Sequence, residues 1–136
     1  MAAILLDTHC WVRLQSGNTR QLDRSTERAI QRASQRGELF VSVISVWEVG
    51  LLESKGRLRL GLPCERWIQE ALKTPGLTLA PLTPEIAVAS TRLPGSFHPD
   101  PADRIIVATA LDLGAKLATS DEAIIEYAKG QRLGIA

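Results

Sequence analysis

The run Ala2-Ala3-Ile4-Leu5-Leu6, stopped by Asp7 and Thr8, restricts the fold more than any other stretch of the chain. An apolar run without alternation suits a strand covered on both faces, as in a parallel sheet between two layers of helices. Periodicity alone does not separate such a strand from a piece of buried helix, so the segments that follow must arbitrate. In parallel sheets ligands bind beyond the carboxyl ends of the strands. Asp7 is therefore predicted at the mouth of a site.

The rest of the chain alternates in kind. Residues 8–14 form a short helix that breaks at Ser16-Gly17-Asn18, and a longer helix follows, with Asp23 or Ser25 as its cap and Gly37 where a left-handed stop belongs. Residues 39–44 are rich in β-branched types and read as the second strand. Ser45 and Glu48 then have the spacing of a capping box, opening a helix that ends at Gly56. A connector over 57–63, a helix over 65–73 and a third strand over 77–80 come next. Pro84 opens a helix to about Arg92, and residues 93–99 form a loop. Asp100-Pro101-Ala102-Asp103 is a strong helix start, with cap, first-turn proline and first-turn acid in order, and that helix runs to Gly114. Residues 116–119 make a short strand, Ser120-Asp121 open a last helix ending at Gly130, and residues 133–135 are expected as an edge strand. Strands alternating with helices predict a three-layer α/β/α sandwich with a mostly parallel central sheet.

At 136 residues the chain has room for one domain, and a single domain over 1–136 is expected. No apolar stretch approaches the roughly 20 residues that span a membrane, and the N-terminal run has no basic leader, so the expected location is the cytoplasm. Cys10 and Cys64 are far apart and outside any C-x-x-C spacing, which argues for reduced packing thiols over a zinc site or a disulfide. A net charge of +1 gives no bulk attraction to nucleic acid, but the distribution is uneven. Arg24, Arg28, Arg32 and Arg36 recur every four residues and share one helix face.

Four acids fall on one predicted edge: Asp7 after the first strand, Glu48 opening the helix after the second, Asp103 opening the helix before the strand at Lys116, and Asp121 after that strand. Taken singly, acids at helix N-termini offset the macrodipole and cap free N–H groups, and Glu48 and Asp121 need no further explanation than that. Asp7 is harder to dismiss, because it ends a buried strand. Converging carboxylates raise one another's pKa or take up a cation. Oxygen-only donors favour Mg²⁺, with Mn²⁺ as the alternative, over Zn²⁺, and Mg²⁺ is commonly shared with substrate phosphates. Asp100 reads first as a helix cap, while Thr8, Thr119 and Ser120 offer hydroxyls that can hold a carboxylate or a water. His9 and His98 are left outside the core site.

These segments together carry a recognisable pattern. Leu5-Leu6-Asp7-Thr8-His9, Ile44-Ser45-Val46-Trp47-Glu48, the run Asp100-Pro101-Ala102-Asp103-Arg104-Ile105-Ile106, and Ala118-Thr119-Ser120-Asp121 resemble, in that order, the PIN-domain nucleases, and among them most closely the VapC toxins of bacterial toxin–antitoxin modules. Gly56-Arg57-Leu58 and Leu93-Pro94-Gly95 extend the resemblance to nearly the whole chain. It implies that Asp7, Glu48, Asp103 and Asp121 form the acidic metal site of an Mg²⁺-dependent endoribonuclease, with Asp121 at the position where the family varies most. It further implies a PIN-like sandwich, homodimerisation, and inhibition by a small VapB-like antitoxin, with DNA touched only through the antitoxin complex.

The expected chemistry is metal-assisted hydrolysis of RNA leaving a 5′-phosphate and a 3′-hydroxyl, with no need of a histidine base. On this reading the arginine face is either a solvated helix surface or a track for RNA or an acidic antitoxin. Two other classes compete. A phosphohydrolase of the D-x-D-x-T kind needs a second Asp where His9 stands, and a receiver-type domain needs an adjacent acidic pair and a late lysine; the chain has neither arrangement. A non-catalytic binding module on the same fold would have no need of an intact acid set.

Overall fold

A computed structural model describes residues 2–18, 22–97 and 100–136. Four strands, β1 (Ile4–Leu6), β2 (Leu39–Ser42), β3 (Leu77–Ala80) and β4 (Lys116–Ala118), form one sheet in the order β3-β2-β1-β4, and every pairing is parallel. Between them run α1 (Thr8–Gln15), α2 (Arg24–Arg36), α3 (Val43–Ser54), α4 (Cys64–Ala71), α5 (Pro84–Ser90), α6 (Pro101–Leu113) and α7 (Glu122–Ala128).

The N-terminal run is the inner strand its composition predicts. Its residues alternate between two cores: Ile4 and Leu6 pack with Trp11, Ile30, Ala33 and Trp67 on one face, and Leu5 packs with Ile106, Val107, Leu117 and Ile124 on the other. Leu39 and Val41 of β2 follow Ile4 and Leu6, while Phe40 follows Leu5. A strand that buries both faces has no polar side to show, hence the unbroken hydrophobicity. Full burial of Leu5 and Leu6 stabilises the fold by about 1.5–3 kcal/mol each. The sheet thus lies between two helical layers, a three-layer α/β/α sandwich.

The main differences from the sequence reading are two boundaries and one cap contact. The strand expected over 39–44 stops at Ser42, whose Oγ accepts from the Ile44 N–H, so α3 starts earlier and the Ser45–Glu48 capping box does not form. At the start of α2, Asp23 holds the cap position without a side-chain cap bond; its carboxylate accepts from the Ser25 hydroxyl instead. The edge strand expected over 133–135 reduces to a single bridge between Ile135 and Leu117, with the Leu117 N–H donating to Gly134 O at 2.8 Å. His98 and the end of the loop predicted over 93–99 lie outside the described residues.

Other starts are as expected. Thr83 caps α5 ahead of Pro84, and the Asp100 carboxylate accepts from the Asp103 N–H at 3.1 Å with Pro101 in the first turn of α6. Arg104, in the same run, donates to the carbonyls of Ser90 and Phe97 and so ties α6 to the end of α5 and the loop after it. Both cysteines are free thiols. Among the described residues, no helix is long and apolar enough to cross a membrane.

Candidate active site

Parallel strands bring all their carboxyl ends to one edge, and the four acids are delivered there by four different elements. Asp7 follows β1 and caps α1, its Oδ1 accepting from the Cys10 N–H at 2.8 Å. Its other oxygen accepts from the Thr119 hydroxyl, just beyond β4. The backbone adds a third tie, the Asp7 N–H donating to Ala118 O at 3.0 Å. Asp7 is buried, with 6% of its surface exposed, so these ties fix its carboxylate in one orientation. The Cys10 thiol beneath is pushed up by burial and by the charge of Asp7, which keeps it protonated and inert.

Glu48 is held by a second chain of hydroxyls. The Thr8 hydroxyl donates to Glu48 Oε1 at 2.5 Å and lies 2.8 Å from Ser45 Oγ. Since Thr8 has one proton and Glu48 receives it, Ser45 must be the donor to Thr8. The earlier start of α3 makes this arrangement: with the helix beginning at Val43, Ser45 and Glu48 sit three residues apart on one helical face, turned toward Thr8. Ser45, which the sequence reading spent on a cap, is fully buried and supports the site instead.

Asp121 caps α7, its Oδ1 accepting from the N–H groups of Ala123 and Ile124, and its own N–H donates to Thr119 Oγ1 at 3.0 Å. Thr119 therefore links Asp7 to the Asp121 backbone. Ser120 is exposed and accepts from Arg13 Nη1 at 2.8 Å, a contact across 107 residues that no local pattern announces.

Asp103 reports the convergence of the set. Burial, and then the charges of Asp100, Asp121, Glu48 and Asp7, push its carboxyl up to about 7. Acids scattered over the surface would not act on one another in this way. Asp100 caps α6, as expected, and its charge also acts on Asp103. Among the described residues, no group of three or more His, Cys, Asp or Glu side chains stands close enough together to hold a metal ion.

The arginine face is reduced to three. Arg24, Arg28 and Arg32 are exposed, but Arg36 is drawn in: its Nε lies 3.3 Å from Glu38 Oε2 and its Nη2 donates to Ala2 O at 3.2 Å. That contact is at the amino end of β1, the sheet edge opposite the acids.

The PIN domain family matches this chain over residues 4–130. The chain is 36% identical over 127 residues to Ribonuclease VapC22 of Mycobacterium tuberculosis, an alignment that covers 89% of this chain and 88% of the relative. Among solved structures, VapBC2 from Rickettsia felis bound to a promoter DNA fragment superposes with a TM-score of 0.70 at 15% identity, covering 98% of this chain and 96% of the other. FitAcB from Neisseria gonorrhoeae does so with a TM-score of 0.59 at 21% identity over 97% and 95% of the two chains. These two likenesses are of fold alone, and they agree with the four-strand parallel sheet described above. On the family match and the curated relative together, the chain belongs to the PIN-domain family.

Proposed function

We propose that the protein is a metal-dependent endoribonuclease and the toxin of a type II toxin–antitoxin module. The observation that carries the proposal is the crowding of carboxylates from four elements around Asp103 at the carboxyl edge of the sheet. The name of the curated relative supplies the substrate class, RNA.

The donor set suits Mg²⁺ or Mn²⁺. It offers only oxygens, the donors that such an ion takes, commonly as one or two carboxylates beside several waters. Asp7 and Asp103 are the direct ligands in this reading, with Glu48 and Asp121 acting directly or through water. When bound, such a cation acidifies water and offsets charge that develops on the phosphate. The chain's own part is orientation. Thr119 and the Cys10 N–H hold Asp7, and the Ser45–Thr8 pair aims Glu48, so the carboxylates meet the substrate without first having to order themselves. Their unrelieved negative charge keeps RNA away until a cation is present.

A VapB-like antitoxin is the proposed inhibitor, and, since the VapBC2 neighbour is bound to promoter DNA, contact with DNA would go through such a complex. The cytoplasm is the proposed location, as an RNA substrate requires. Homodimerisation is proposed on the resemblance, and sedimentation of the purified chain reads it directly.

The deciding experiment incubates total cellular RNA with antitoxin-free protein and Mg²⁺, beside an EDTA control and the Asp103→Asn variant. Discrete fragments with 5′-phosphate ends should arise from the wild type with Mg²⁺ alone. Fragments ending in 2′,3′-cyclic phosphate would overturn the hydrolytic route, because such ends require the RNA's own 2′-hydroxyl as nucleophile. Folded protein inactive with every divalent metal would point to a binding module.

A further inference from the structure

We propose that Arg13 is a phosphate anchor, its guanidinium gripping a backbone phosphate of the RNA strand as that strand enters the acidic edge. This rests on the nuclease reading above and names the group that receives the polyanion there. Arg13 lies in the last turn of α1, the helix that Asp7 caps, and its Nη1 donates to Ser120 Oγ at 2.8 Å in the turn between β4 and α7. The neighbours of Ser120 are Thr119, which holds Asp7, and Asp121. The guanidinium therefore stands on the rim of the acid cluster.

Two features separate Arg13 from an ordinary surface cation. Among the described residues it forms no ion pair with a carboxylate, although acids line the same edge. It bonds a neutral hydroxyl instead, which takes one of its five N–H groups and fixes the plane of the fork while keeping the full charge for another anion. A mouth made only of carboxylates repels a nucleic acid, and a planar fork beside it matches a phosphate through two parallel N–H bonds. The plainer role for Arg13 is to offset the negative end of the α1 dipole. A lysine would serve that role equally well, and RNA binding would not depend on it.

The test uses full-length, antitoxin-free Asp103→Asn protein, which should hold RNA without cutting it, and a fluorescein-labelled single-stranded RNA of mixed sequence. Binding is followed by anisotropy over a range of KCl at a fixed Mg²⁺ concentration. Adding Arg13→Ala should weaken binding several-fold and lower the slope of log K against log salt by about 0.7, the loss of one phosphate contact on a single strand. Arg13→Lys should keep the slope while recovering only part of the affinity. In the cleaving background, Arg13→Ala should raise KM by a larger factor than it lowers kcat. An unchanged slope in folded Arg13→Ala protein would overturn the anchor. So would a fall in kcat at constant KM, which would make Arg13 a positioning residue acting on Asp121 through Ser120. If the parent Asp103→Asn protein binds no RNA with Mg²⁺ present and the wild type cuts none, the nuclease reading fails and the anchor with it; where the wild type cuts, the KM comparison decides for or against the anchor, and a parent that binds and is indifferent to Arg13 sinks the anchor alone.

Discussion

Asp103 carries the charge burden of the acidic edge, and that burden has a measurable cost. Its carboxyl is pushed from an ordinary 3.8 up to about 7, by burial first and then by Asp100, Asp121, Glu48 and Asp7. Between those values the folded protein holds a proton that the unfolded chain has released. Folding there takes up a proton, so the contribution to stability is full below about pH 4 and is lost as pH rises through about 7. We expect the melting temperature of the metal-free protein to fall between about pH 4 and 7, and the Asp103→Asn variant to lose most of that fall. Adding Mg²⁺ should flatten the wild-type profile, because a cation relieves the repulsion that causes it. Equal slopes for variant and wild type would show that other groups set the pH dependence. Of the residues around Asp103, the acids were legible as single letters at strand and helix ends. Ser45 and Arg13 were not, because their partners Thr8 and Ser120 lie 37 and 107 residues away and no spacing encodes such a meeting.

The elements were legible where their signals are local. Asp100-Pro101 places cap and first-turn proline side by side, Pro84 marks another first turn, and both helices begin there. The start of α3 was misplaced because Ser42 and Ser45 are both competent caps, and the choice fell to the one that ends β2 in register with Ala80 of β3. The segment at 133–135 has strand-forming residues, but the structure pairs it with Leu117 through one bridge only, too little for a strand. A sharper constraint operates where α2 meets β3. Gly76 has φ of +77°, and a Cβ on it would stand 1.8 Å from the Ser34 carbonyl oxygen of α2, whose hydroxyl in turn donates to Pro75 O at 2.5 Å. Gly76→Ala combines left-handed strain with a backbone collision. It should destabilise the protein by more than about 1 kcal/mol in chemical denaturation. A cost near zero would mean that the α2–β3 approach can open without loss.

The architecture of the molecule sorts its charges. Acids collect at the carboxyl edge of the sheet, and Arg36 is tied down at the opposite edge. Arg24, Arg28 and Arg32 lie along α2 with their side chains in solvent. If this face tracks RNA, replacing Arg28 and Arg32 together by Ala should weaken binding and flatten its salt slope by up to about 1.4. An unchanged slope would leave them as a solvated face. The sheet order holds one further consequence. β1 is an inner strand whose two neighbours are β2 and β4, and β4 is the last strand of the sheet to be made. A chain still on the ribosome before Lys116 has Asp7, Glu48 and Asp103, yet β1 has no partner on one side and Asp7 no Thr119 to hold it. Translation thus completes the acidic edge last, since a chain that stops before Lys116 lacks both β4 and Asp121.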